Sequence, residues 1–341
     1  MNVAINTKEM HYPLLQALSP LQKFLDDENI IEISVNAPGY VFIERLGSIY
    51  MERHDVPELD GAAIRLLSER VATTTKQFIN QQHPLLGAAL PLRSERIQFV
   101  ISPACEGEGI FSIRKQVMKN MTLDDYEKTG AFDKICLSSS GSSEIDERLS
   151  HLLKQEKYGE FLRTAIAGHV TMLISGGTGT GKTTFMNACL HAVDLNERII
   201  TIEDARELHP PHQNIVHLVA SKGGQGRASV SIQDLLEASL RLRPDRIFLG
   251  EVRGSEVVSF LQAVNTGHPG SMCTVHADNP TSAYERIAMM MMQSGAAPTL
   301  TRDDLIRYIK SAIPIVIQLT RNGGHRGLSE IYFARSDDHG I

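Results

Sequence analysis

No stretch of this chain approaches the eighteen or so consecutive apolar residues of a membrane-crossing helix; Ala312-Ile313-Pro314-Ile315-Val316-Ile317 is only strand-sized. Met1 to Pro13 lacks a basic segment followed by an apolar one, which argues against an export signal and for a cytoplasmic protein. Cysteine is sparse. Cys105, Cys136, Cys189 and Cys273 lie far apart and form no C-x-x-C pair, so a zinc site is not expected and buried reduced thiols are. There is no basic excess either: 34 Lys and Arg against 40 Asp and Glu leave a net charge of −6. That balance, with few aromatics interleaved among basic residues, argues against stable nucleic-acid binding. What is present, 42% hydrophobic and 22% charged residues, is ordinary for globular protein. A length of 341 residues suits two domains, each able to bury a core.

The first region alternates short strands and turns. Ile31–Val35 and Tyr40–Glu44 flank Asn36-Ala37-Pro38-Gly39, and Gly47 turns the chain before Ile49–Arg53. Ala62, Leu66, Leu67, Val71 and Ala72 make a helically spaced apolar stripe over Gly61–Thr75. Strands near Leu86–Leu90, Arg96–Ile101 and Ile110–Lys115 complete a small α+β domain, residues 1–118. Residues 119–150 read as a linker around Ser138-Ser139-Ser140-Gly141-Ser142-Ser143, with a short helix capped by Thr122 before it. Over residues 151–341 strands alternate with helices. Near-continuous apolar strands at Val170–Ser175, Ile199–Ile202, Val216–Val219, Ile247–Leu249 and Met272–Val275 predict a mainly parallel sheet. Helices are expected at Thr183–Ala192, Ile232–Leu242, Glu256–Val264 and Ser282–Met292, and a final hairpin about Asn322-Gly323-Gly324. The fold class is therefore α/β, with a P-loop domain at the C-terminus.

Gly176-Gly177-Thr178-Gly179-Thr180-Gly181-Lys182-Thr183-Thr184 matches the pattern G-x-x-x-x-G-K-[ST] between a buried strand and a helix. Glycines let backbone N–H groups turn inward around phosphate oxygens, and the helix end adds partial positive charge. Lys182 is expected to reach the terminal phosphates of ATP and the Thr183 hydroxyl to hold Mg²⁺. Arg246-Ile247-Phe248-Leu249-Gly250-Glu251 is an apolar strand ending in one carboxylate, where a metal-facing or water-orienting acid belongs. A surface glutamate at a strand end is the plainer alternative. Thr201-Ile202-Glu203-Asp204 ends another such strand, and Glu203 is the first candidate to polarise the attacking water. Simple charge complementarity to a following helix explains it equally well. Residues Gly267 to Ala277 set His268 and His276 around a strand, and from the residues alone a structural histidine is the preferred reading.

The phosphate loop, then I-T-I-E-D-x-x-E-L (Ile200–Leu208), G-E-x-R-G (Gly250–Gly254) and T-G-H-x-G-S-x-x-T-x-H-A (Thr266–Ala277), resembles the secretion ATPase superfamily. The chain is most similar to the VirB-type ring ATPases of type IV secretion systems. Its size and the strands Glu95-Arg96-Ile97-Gln98 and Ser112-Ile113-Arg114-Lys115 carry that placement. The resemblance implies a RecA-like C-terminal domain, ATP hydrolysis and a homohexameric ring. It also implies peripheral attachment to the inner-membrane components of a secretion channel, for substrate export or pilus assembly, conjugative systems included. It puts Glu203 by the attacking water, Glu251 in the second acidic motif and His276 beside the terminal phosphate, against the structural preference above. Arg96 and Arg114 match arginines that reach the nucleotide from the N-terminal domain. A type II secretion or type IV pilus ATPase is the alternative, and a nucleic-acid motor is disfavoured by the charge balance.

Overall fold

Strands with buried apolar positions build the first sheet of the computed structural model, which describes residues 11–91, 93, 95–116, 122–128, 130–133, 143–221 and 228–339. β1 (Ile30–Val35), β2 (Tyr40–Arg45), β3 (Glu52–Asp55), β4 (Leu85–Ala89), β5 (Arg96–Val100) and β6 (Ile110–Arg114) form an antiparallel sheet in the order β3-β2-β1-β6-β5-β4. The third strand lies a few residues later than its apolar residues suggest, because Glu52–Asp55 is the stretch in register with β2. Short helices α1 (Tyr12–Ala17) and α2 (Gln22–Asp26) and the longer α3 (Gly61–Thr74) cover the sheet. Asp60 accepts a hydrogen bond from Ala63 N and so caps α3, whose Ile64, Leu67 and Val71 pack with Leu14, Ile33, Phe99 and Phe111. The helix expected after Thr122 is present as α4 (Leu123–Lys128).

The low-complexity segment 138–142 and Cys136 lie outside the described residues. The last part of the expected linker is helical: α5 (Glu144–Lys154) starts at Ser143, whose side chain accepts from Asp146 N. Its Leu149 and Leu152 are buried with Phe161, Ala165 and Ile166 of α6 (Tyr158–Ala167). Residues 144–154 therefore pack with the C-terminal half.

The second sheet holds β7 (Met172–Gly176), β8 (Ile199–Glu203), β9 (Ile215–Val219), β10 (Arg246–Leu249), β11 (Met272–Val275), β12 (Ile315–Asn322) and β13 (His325–Phe333). Its order is β13-β12-β7-β11-β10-β8-β9, parallel throughout except for the terminal β12–β13 hairpin. Helices α7 (Lys182–Leu190), α8 (Ile232–Ser239), α9 (Glu256–Asn265), α10 (Pro280–Ser294) and α11 (Arg302–Ala312) flank it. α8 stops short of Leu242, and Arg243 takes a positive φ of 57° in the turn that follows. α11 is absent from the reading of the sequence, although Thr301 and Asp304 form a capping box and Leu305, Ile309 and Ala312 are buried.

The two sheets share a core. Val100, Ala104, Cys105 and Ile110 pack into the same apolar cluster as Ile202, Leu218 and Leu249. Arg243 clasps Glu44 through Nε (2.7 Å) and Nη2 (2.5 Å), joining the domains at a polar seam. Among the described residues no helix is long and apolar enough to cross a membrane.

Candidate nucleotide site

The phosphate loop leaves the carboxyl end of β7 at Gly176, where a side chain has no room. A Cβ there would stand 2.6 Å from Thr180 Oγ1 and 2.8 Å from the Leu319 carbonyl oxygen. Gly179 and Gly181 have φ of 74° and 95°, the left-handed region that side chains disfavour. α7 then opens at Lys182 with no capping side chain and no acid in its first turn, which leaves its N–H groups and dipole to an anion.

The parallel topology brings the ends of β7, β8, β10 and β11 to one edge. There a cavity of about 550 Å³ is lined by Thr178, Gly181, Lys182, Thr183, Thr184, Glu203, Glu251 and His276. Lys182 Nζ donates to the carbonyls of Gly176 (2.8 Å) and Gly177 (3.1 Å) and lies 3.3 Å from His276 Nδ1. An ammonium cannot accept, so Nδ1 accepts and the ring proton sits on Nε2, which faces Glu251 Oε1 at 3.2 Å. Burial lowers the pKa of Lys182, opposed by the Glu251 charge. Burial likewise lowers that of His276, with Lys182 adding to it, so the imidazole is held neutral. Glu251 also pairs with Arg253 Nη2 at 2.6 Å, and Arg253 in turn pairs with Asp204.

Glu203 is buried at the tip of β8, where its Oε1 accepts from the amides of Glu207 (2.9 Å) and Leu208 (3.0 Å). Burial raises its pKa and these two bonds pull the other way, which suits a carboxylate poised to accept a proton. The element that follows β8 in the chain is β9 and not a helix, so complementarity to a following helix does not account for Glu203 and Asp204. Arg96 and Arg114 stand elsewhere. They are register partners on β5 and β6, both exposed, and line a separate cavity of about 510 Å³ with Leu240 and Arg241. Within one chain the structure brings Lys182, Thr183, Glu203, Glu251 and His276 together and leaves these two arginines apart. Arg326, unread in the sequence, touches the loop: its Nε donates to Gly179 O at 2.9 Å from the β13 side of the hairpin. The Asn322-Gly323-Gly324 turn signals the hairpin, and the arginines at its base, Arg321 and Arg326, face each other in register.

A RecA-like parallel sheet with this loop, lysine and acid pair at its carboxyl edge defines a P-loop ATPase. The family described as Type II/IV secretion system protein matches residues 15–327, and the chain belongs to that family. It is 37% identical over 334 residues to the type IV secretion system protein VirB11 of Bartonella henselae, covering 94% of this chain and 92% of that one. VirB11 of Brucella suis is 36% identical over 324 residues, covering 93% of this chain and 89% of its own length. The crystal structure of the Brucella suis VirB11 ATPase in complex with sulphate superposes with a TM-score of 0.88 at 33% identity, over 95% of this chain and 99% of that chain.

Proposed function

We propose that this secretion ATPase hydrolyses ATP with Mg²⁺ as the motor of a type IV secretion system, driving substrate export or pilus assembly. The observation that carries the reading is the meeting of Lys182, Glu203, Glu251 and His276 on the phosphate loop around one cavity. Lys182 binds the terminal phosphates by leaving the loop carbonyls, and His276, freed of the ammonium, donates to a phosphate oxygen once its ring proton has moved from Nε2 to Nδ1. Glu203, fixed by two amides, orients and deprotonates the attacking water. Among the described residues no cluster of three or more His, Cys, Asp or Glu side chains is built to hold a metal alone. That suits Mg²⁺, which keeps several waters and leans on substrate phosphates, with the Thr183 hydroxyl and Glu251 as the protein's oxygen donors. When bound it would neutralise charge on the phosphates. Arg253 and His276 already hold Glu251 in place for that role.

Arg96 and Arg114 carry the ring into the reading. As they lie away from Lys182 in one chain, their contact with phosphate is assigned to the nucleotide of a neighbouring copy in a homohexamer, so that turnover depends on assembly. The relatives' names support membership of a secretion channel. From these follow a cytoplasmic site and peripheral attachment to inner-membrane components. The test is Mg²⁺-dependent ATP hydrolysis per subunit across a dilution series, with and without single-stranded DNA. Specific activity should rise with concentration and ignore DNA. Lys182→Ala should lower turnover at least about 100-fold, and Glu203→Gln should do the same while still binding nucleotide. Strong stimulation by DNA would move the function to a nucleic-acid motor.

A further inference from the structure

Beside Glu203 runs a line of polar side chains that ends in the other domain. Thr201, two residues before Glu203 on β8, is fully buried and pairs in register with His217 of β9. Thr201 Oγ1 lies 2.8 Å from His217 Nδ1, and Arg206 Nη2 lies 3.2 Å from His217 Nε2. Arg206 is also ion-paired with Glu106, on the N-terminal loop between β5 and β6. That loop is seated on β9: Val219 N donates to Ala104 O at 2.9 Å, and Cys105 bridges to Leu218.

The direction of every bond in the line follows from chemistry. A guanidinium only donates, so Nε2 of His217 accepts from Arg206. The ring proton is then on Nδ1, which donates to Thr201 Oγ1. That leaves the Thr201 hydroxyl proton for Glu203, two residues on along the same face of β8, whose carboxyl Thr201 draws toward its charged form. Burial pushes the His217 pKa down to about 4, in keeping with a neutral ring carrying one proton.

We propose that His217 is a positioning residue for ATP hydrolysis: through Thr201 it orients the Glu203 carboxylate, and through Arg206 and Glu106 it ties that orientation to the N-terminal domain. A shift of the N-terminal loop against β9 pulls Arg206 from His217, releases the ring to change tautomer and removes the proton that Thr201 directs at Glu203. Movement of one domain thus reaches the water-activating carboxylate with no contact to the nucleotide. The inference rests on the reading of Glu203 as the residue that activates water.

The test compares steady-state kinetics and nucleotide affinity of the full chain in its assembled form, after thermal melts confirm folding. Thr201→Val and His217→Phe should each lower kcat about 10- to 100-fold with KM within about twofold, as expected for misplaced catalytic geometry. Thr201→Ser keeps the hydroxyl and should turn over like the parent. His217→Asn places an amide N–H where Nδ1 stands and should recover most of the loss. Glu106→Gln should lower kcat in the parent and have no further effect with His217→Phe. A rise in KM at unchanged kcat, or His217→Asn no better than His217→Phe, overturns the proposal. Glu203→Gln separates the two readings: if it is inactive while Thr201→Val and His217→Phe match the parent, the relay alone fails. If Glu203→Gln turns over normally, the role of Glu203 itself fails.

Discussion

Replacing Glu197 by alanine should unfold the ATPase domain at a much lower temperature. The Arg246 guanidinium is 1% exposed and Glu197 5%, and they are joined through Nε–Oε2 at 2.6 Å and Nη2–Oε1 at 2.7 Å. Nη1 donates to Ile166 O at 2.8 Å, so Arg246 also pins α6 to the start of β10. Without Glu197 the cation stays buried with one carbonyl and the edge of His169 for company. Leaving a buried charge uncompensated costs about 3–5 kcal/mol. For a domain of about 200 residues that lowers the unfolding midpoint by roughly 6–20 °C. The double variant Glu197→Leu with Arg246→Met removes both charges and should regain at least about half of the loss. Circular dichroism melts at pH 7 measure all three proteins. A single variant within about 2 °C of the parent, or a double variant no better than the single, would refute the reasoning. The strand so anchored carries Glu251 just beyond its far end, so ATP turnover of the single variant should fall before the domain melts.

Arg326→Ala should raise KM for ATP about three- to tenfold and leave kcat near the parent's, as for loss of one charge-assisted hydrogen bond. Its Nε holds the Gly179 carbonyl outward, and a planar trans peptide then turns the Thr180 N–H the opposite way, into the phosphate loop. Equal loss with AMP, which lacks the β-phosphate, would count against that account. Glu32, buried at the domain seam, has its pKa pushed from 4.5 up to about 8 by burial, against the pull of Arg198 and Arg114. Folded chain therefore keeps a proton that unfolded chain has lost, and stability present below pH 4.5 drains away as pH rises to about 8, at about 1.4 kcal/mol per unit. Glu32→Gln cannot ionise and should flatten that dependence in denaturant titrations at pH 5, 7 and 8, being the more stable protein at pH 8.

The phosphate loop and the strands that end in Glu203 and Glu251 were legible because each is a local pattern: apolar strand, glycine or acid, helix. The register of β8 on β9, which faces Thr201 with His217, is a tertiary choice with no local mark. So is the hairpin contact that sets Arg326 against a loop 147 residues earlier. Arg96 and Arg114 are recognisable as strand arginines, yet their distance from Lys182 depends on how two domains dock. α11 does carry a local mark, the capping box of Thr301 and Asp304, but its buried residues Leu305, Ile309 and Ala312 make a short and sparse apolar stripe beside that of α10. α8 ends early as its last turn tightens, with Arg241 N donating to Ala238 O and Leu242 N to Ser239 O, and Pro244 disfavours helical backbone at Arg243 beyond it.

The seating of the loop at Ala104–Cys105 on β9 has a consequence for the single chain. β9 is the last strand of its sheet, and an open strand edge invites pairing with any other chain that offers one. With the N-terminal domain attached, part of that edge is closed and the apolar residues beside it, Val216 and Leu218, are buried. A fragment starting at Ser143 would bare that part of the edge and should associate more readily than the whole chain. In the whole chain the N-terminal half therefore also shields part of the ATPase half from pairing edge to edge.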